Sequence, residues 1–389
     1  MSLGILIFIL SILVVVMIHE SGHFLTAKLF DFKATKFFVG FGPTVWSTQR
    51  GETEYGIKAI PAGGFVKIVG MNPYEEVPAQ DIHRSYPNKP AWQRAIVLAA
   101  GSATHWVVAF VILMVTAMTI GFPTGRAGNE VAAVSADSPA VAAGFEAGDE
   151  IVGVGGQGTT SWNDIRRYIR AHPEERVEFT IVRDDERVPL EVELGRAIYD
   201  ERGAPVAFAE PGESLRAPRS GEQVVGFLGV QPTQLFDRMG PLEAAGDAAV
   251  RTGQLTVASA QGVVQIFGMV FDGTLVDALT GEGRRAPDEG PLGLVGAGRI
   301  AGESVQTGRY LDLIGLVVGF TVFVGLMNLL PLPPLDGGHL AVVAWEAVTG
   351  RKVDLRKLIP VAAAVISFFL LLFVAVLYLD IARPIKIPL

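Results

Sequence analysis

The chain has 389 residues, half of them hydrophobic, with a mean hydropathy of +0.39 and a formal charge of −8. It contains no cysteine, which excludes disulfides and thiolate metal sites and leaves His, Asp and Glu as the only metal ligands. No basic stripe tracks a phosphate backbone, which excludes nucleic acid; the apolar residues cluster in blocks, as in a polytopic membrane protein carrying a water-soluble insert.

The first predicted element is an apolar helix from Leu3 to about Phe30. Near its end stands His19-Glu20-Ser21-Gly22-His23, an H-E-x-x-H motif. One helical turn separates the two histidines, so both imidazoles can meet one metal ion. Glu20 lies between them, where it can take a proton from a metal-bound water. A soluble metalloprotease helix is amphipathic, but this one is apolar nearly all round. Ionisable residues inside such a span are expensive and mark function. The bland alternative, two satisfied histidines at a helix end, is disfavoured by the apolar setting.

Asp31 to Pro90 is a basic loop holding Lys33, Lys36, Arg50, Lys58, Lys67, Arg84 and Lys89. Within it, Thr53 to Val69 alternates apolar and polar residues around a Pro-Ala-Gly-Gly turn, which predicts a β-hairpin. A second apolar span runs from about Ala91 to Phe122, a third from about Leu311 to Leu330, and a fourth from about Leu358 to Leu379. Each is long enough to cross ~30 Å of hydrocarbon.

Between spans two and three the chain is acidic: Thr124 to Arg309 holds 28 Asp and Glu, 17 Arg and no Lys. The loop between spans three and four is again basic, Arg351-Lys352-Val353-Asp354-Leu355-Arg356-Lys357. The positive-inside rule therefore places both basic loops in the cytoplasm and the acidic insert outside.

The insert opens with a compact α/β order. Strands are predicted at Glu130–Val134, Val177–Val182 and Val188–Leu194, and a turn and strand at Asp149–Val154. Short helices are predicted at Ser138–Gly144, with Ser138 as N-cap, Pro139 at N1 and a Gly cap, and at Trp162–Arg170. Arg196 to Glu222, rich in Gly, Pro and charge, reads as an exposed loop. Pro241 to Phe271 has helical periodicity, but Gln254, Gln261 and Gln265 make it a poor span. It reads as helices on the outer membrane surface or capping the insert, and Gly281 to Gly290 as a loop.

A zinc site needs a third protein ligand and an open position. Asn328-Leu-Leu-Pro-Leu-Pro-Pro-Leu-Asp336-Gly-Gly-His339 ends the third span, and irregular backbone at that depth is tolerated only where protein or a cavity covers it. Asp336 is the only acid between Asp312 and Glu346, which makes it the candidate. His339, further past the turn, is a second candidate on chemistry alone.

HESGH at His19, N-x-x-P-x-P-P-L-D-G from Asn328 to Gly337, and YGIKAIPAGGFVKIVG at Tyr55 to Gly70 together resemble the site-2 proteases. The stretch SPAVAAGFEAGDEI at Ser138 to Ile151 resembles a PDZ core and points to their bacterial PDZ-containing branch, of the regulator of sigma-E protease type. The resemblance implies a four-span α-helical membrane protein with a membrane-associated β-hairpin and an inserted extracytoplasmic α/β PDZ domain. The parts would be residues 1–122 (two spans, with the hairpin at about 53–69), 123–235 (PDZ domain with loop), 236–309 (amphipathic helices and loop) and 310–389 (two spans).

It further implies one zinc per chain held by His19, His23 and Asp336, Glu20 as general base, and Asn328 holding substrate backbone. The hairpin would receive substrate as an added strand. Substrates would be single-span proteins in the bilayer of the bacterial cell membrane, such as anti-sigma factors already cut outside, or signal-peptide remnants. One departure stands out. The family's G-P-x-x-N at the second span is here Gly101-Ser-Ala-Thr-His105. His105 is read as a structural polar residue, with a hydrogen-bond donor to the site as the alternative.

Two other functions compete. A non-catalytic scaffold would bind membrane proteins through its PDZ domain, but would not need Glu20. A metal transporter wants polar residues along several spans, and the second and fourth offer few.

Overall fold

The structure is a computed structural model and describes residues 2–72, 74–200, 205–209, 213, 215–281 and 290–384. The chain forms two compact units, residues 1–116 with 240–389, and residues 117–239.

Helix α1 (Ser2–Leu29) is the first apolar segment. Three of its hydroxyls are satisfied within the helix: Ser11, Ser21 and Thr26 each donate to the carbonyl four residues back. That is the economical solution where no water is at hand. Strands β1 (Ala34–Arg50) and β2 (Thr53–Ile68) follow. Their turn lies at Gly51-Glu52, where Gly51 takes φ +61°, and not at the Pro-Ala-Gly-Gly stretch expected from sequence. Thr53–Ile68 is one irregular strand, and the first half of β1 pairs with both of its ends, Lys36 lying opposite both Lys67 and Glu54. The stretch Gly64–Ile68 is left on the edge beside α1.

The turn residue Glu52 pairs with Lys28 (2.5 Å), Arg84 (2.7 Å) and Lys33 (3.3 Å). Arg84 above all, with Lys28 and Lys33, holds its carboxyl down to about 2. This cluster anchors the β1–β2 turn to the end of α1. The chain then enters α2 (Ala91–Thr119).

The second unit is antiparallel β with two helices. Its elements are β3 (Phe122–Val134), α3 (Pro139–Ala142), β4 (Glu150–Val154), β5 (Gln157–Gly158), α4 (Trp162–Ala171), β6 (Arg176–Arg183), β7 (Glu186–Glu193), β8 (Gly195–Tyr199), β9 (Pro205–Ala209), β10 (Gln223–Phe227) and β11 (Val230–Asp237). One sheet runs β11-β3-β4-β6-β7 with β5 on β4, and a second runs β10-β8-β9. Ser138 caps α3 with Pro139 at N1, and Gly144 just beyond it takes φ +83°, the expected stop signal. Period-2 burial on β6 puts Val177, Phe179 and Ile181 against Ile165 and Ile169 of α4.

Arg196–Glu222 differs from its reading as a loop, because β8 and β9 lie in it. Ala197 and Ile198 are fully buried there; two apolar residues between Gly, Arg and Pro are too short a pattern to betray a strand.

The remaining helices belong to the first unit: α5 (Pro241–Phe271), α6 (Thr274–Thr280), α7 (Leu294–Gln306), α8 (Tyr310–Asn328), α9 (Asp336–Thr349) and α10 (Ile359–Ala382). Residues 282–289, most of the loop expected before Gly290, lie outside the described residues. The four apolar segments are all helices. A fifth, α5, is also long and apolar enough to cross a membrane by length and composition.

α5 is one continuous helix packed on α8. Its Thr256 accepts from Trp106 Nε1 (2.9 Å) and its Phe267 stacks on Phe368. The three glutamines that argued against a span lie on its exposed side. α7 packs on α1, where Gly4 lets the Ala301-Gly302 backbone approach closely. Asp380, buried near the end of α10, accepts from Gly293 N (3.2 Å) and Gly296 N (2.8 Å) and so caps α7.

Candidate metal centre and active site

α1 carries His19 and His23 on one face, 8% and 9% exposed. Asp336 comes from the far end of the chain. α8 stops at Asn328, and Leu329 to Leu335 fold into tight turns that deliver Asp336 as the first residue of α9. Gly337 and Gly338 make this possible: a Cβ on Gly337 would strike the Leu329 and Leu330 carbonyls, and one on Gly338 would lie 2.5 Å from Pro333 N.

The three donor atoms converge. His19 Nε2 is 3.1 Å from His23 Nε2 and 3.2 Å from Asp336 Oδ2, and His23 Nε2 is 3.3 Å from the same oxygen. Ligands about 2.0–2.1 Å from a tetrahedral zinc stand roughly 3.3–3.4 Å apart, so this triangle fits the ion and leaves a fourth position open. Among the described residues this is the group of His, Asp and Glu close enough to share an ion. His339 is not part of it.

The other ring nitrogens are held too. His23 Nδ1 is 2.8 Å from the Val97 carbonyl, and His19 Nδ1 is 3.0 Å from His105 Nε2. A cavity of about 210 Å³ opens beside the triangle, lined by His19, Glu20, His105, Asn328 and Asp336 with apolar neighbours. The Val66 backbone N–H of the β2 edge donates to Glu20 Oε2 (3.0 Å).

The family model for peptidase family M50 matches residues 7–374. The chain belongs to peptidase family M50. It is similar along most of its length to zinc metalloprotease Rip1 of Mycobacterium tuberculosis, with 33% identity over 95% of this chain and 91% of that protein. Metalloprotease MmpA of Caulobacter vibrioides is 30% identical over 89% of this chain and 86% of its own. A solved PDZ domain from Listeria innocua is 26% identical, covering 22% of this chain and 97% of that chain with a TM-score of 0.17. The chain is thus a zinc metalloprotease of site-2 protease type and a membrane protein.

Within this family M50 site, the structure brings together His19, Glu20, His23, Asn328 and Asp336, as expected from sequence, but not the second ligand candidate His339. His105 stands at hydrogen-bond distance from His19, the contact weighed for it from sequence. Two features escaped sequence reasoning. Gly101 faces the His23 ring. The Val66 amide reaches Glu20 across 46 residues of sequence. No local signal marks either.

Proposed function

We propose that this metalloprotease hydrolyses a peptide bond inside the bilayer, in single-span membrane proteins already shortened outside. The observation that carries the reading is the ligand triangle with Glu20 on the same cavity, built on helices apolar enough to span a membrane. His19, His23 and Asp336 would hold one zinc per chain. Bound there, zinc supplies Lewis acidity and lowers the pKa of water. Glu20 takes the proton of the attacking water and delivers it to the leaving amine. Asn328, at the end of α8, holds the substrate backbone with its amide.

A substrate helix hides its carbonyls in i→i−4 bonds, so it must unwind to be cut. The edge stretch Gly64–Ile68 offers backbone partners to the unwound segment, and the bond from Val66 N–H to Glu20 Oε2, beside the general base, supports that role. The Lys and Arg bias supports cytoplasmic basic loops and an extracytoplasmic second unit. The order of elements in that unit, with the Ser138–Ile151 sequence, supports a PDZ domain that binds or screens substrates. Anti-sigma factors and signal-peptide remnants are the substrate classes the site-2 resemblance suggests.

The test is purified protein with a single-span substrate, with and without chelator, against Glu20→Gln. Gln is nearly isosteric but takes no proton at neutral pH, so cleavage should fall at least ~10²–10⁴-fold while zinc stays bound. Cleavage near the wild-type rate by the variant would overturn the assignment of Glu20, and chelator-resistant cleavage the assignment of the metal.

A further inference from the structure

We propose that His105 is a positioning residue for the metal centre: its Nε2 accepts the Nδ1–H of His19 and so fixes the tautomer and ring angle that present His19 Nε2 to the ion. The inference rests on His19 being a ligand.

A neutral imidazole has one N–H and one lone pair. A His that ligates through Nε2 must carry its proton on Nδ1, and that proton needs an acceptor because the ring is buried. For His23 the acceptor is the Val97 carbonyl on α2, at 2.8 Å. For His19 the atom in place is His105 Nε2, at 3.0 Å. The opposite direction, His105 donating to His19 Nδ1, would put the His19 proton on Nε2 and block the ligand. Ligation therefore sets His105 as the Nδ1–H tautomer with Nε2 as acceptor.

The ring of His105 is held by packing rather than by a hydrogen bond at its Nδ1. It is 1% exposed and packs against Gly325 of α8, where a Cβ would lie 2.7 Å from His105 Cβ and 3.0 Å from Cγ. Its centroid is 5.1 Å from that of His19, with the planes at 50°. The two histidines of the motif are thus oriented from α2 by different acceptors, a backbone carbonyl for one and a side chain for the other. Only the second can be altered by substitution.

The experiment uses the full-length protein in detergent and reads zinc affinity by chelator competition, with the absorption spectrum of the cobalt-substituted protein as a second signal. His105→Leu keeps bulk and removes the acceptor. His105→Gln places an amide oxygen about where Nε2 stands. The Leu variant should bind zinc ~10–100-fold more weakly and shift the cobalt spectrum, while the Gln variant should recover most of the affinity.

Thermal unfolding of the metal-free proteins separates packing from positioning, since the inference requires the loss in metal affinity to exceed any loss in metal-free stability. Wild-type affinity in His105→Leu would overturn it, and so would equal losses in the Leu and Gln variants. His19→Ala is the control for the underlying reading. If it keeps zinc, the ligand assignment fails. If it loses zinc while His105→Leu does not, only the positioning role fails.

Discussion

Gly101→Ala should cost the protein its zinc although Gly101 is not itself a ligand. In a helix interior this change is ordinarily favourable by ~1 kcal/mol, because Ala is the better helix former. Here the added methyl would point into the His23 ring, 2.8 Å from Cδ2 and closer still to Cε1 and Nε2. Carbon contacts are comfortable at about 3.5–4.0 Å, so ring or helix must retreat by about 1 Å. Metal–ligand distances tolerate only about ±0.2 Å. The ring cannot simply rotate away, because its Nδ1 is tied to the Val97 carbonyl. The expected result is a loss of zinc affinity at least as large as the ~10–100-fold seen when a ligand's supporting partner is removed, with helix content unchanged.

Metal content after dialysis against graded chelator reads the affinity, and circular dichroism reads the helices. Gly262→Ala is the control, since its Cβ would meet nothing within 4 Å; it should bind zinc normally. Wild-type zinc affinity in Gly101→Ala would refute the claim that α1 and α2 meet through the His23 ring at this glycine.

The remaining predictions concern the β1–β2 turn and the topology. Glu52 has its carboxyl lowered to about 2 by Arg84, Lys28 and Lys33, against an unfolded value near 4.5. A depressed carboxylate stabilises the fold fully above the unfolded pKa and loses that contribution as pH falls through the folded one. Glu52→Gln should therefore lower the Tm at pH 7, and its gap from wild type should close between about pH 4.5 and 2; a gap that stays constant to pH 2 would remove the cluster from the stability account. The chain has no cysteine, so Asp184→Cys provides a single label site in the second unit. It should react with an impermeant reagent in intact cells, and protection until lysis would reverse the proposed orientation.

His19, Glu20 and His23 were legible in sequence because a helix fixes their geometry locally: four residues make one turn whatever surrounds them. The apolar runs were legible as helices for a similar reason, since backbone polar groups in lipid must be satisfied within the segment. Asp336 could be named from its isolation in a Pro- and Gly-dense span end, and the motif resemblance reinforced it. That its oxygen stands 3.2 and 3.3 Å from two nitrogens more than 300 residues earlier is a fact of helix packing.

Composition misled where short strands hide among Gly, Pro and charge, as at Gly195–Tyr199, and where a turn signal at Pro61–Gly64 outshone the real turn at Gly51-Glu52. Three glutamines in Pro241–Phe271 suggested a surface helix. Its placement shows only in the packing, where its Thr256 and Phe267 meet Trp106 of α2 and Phe368 of α10. What tertiary structure alone decided is which groups meet across elements: His105 with His19, Val66 with Glu20, Gly101 with His23. Periodicity predicts which face of a helix is buried, but which atoms meet across that face depends on how closely two backbones approach.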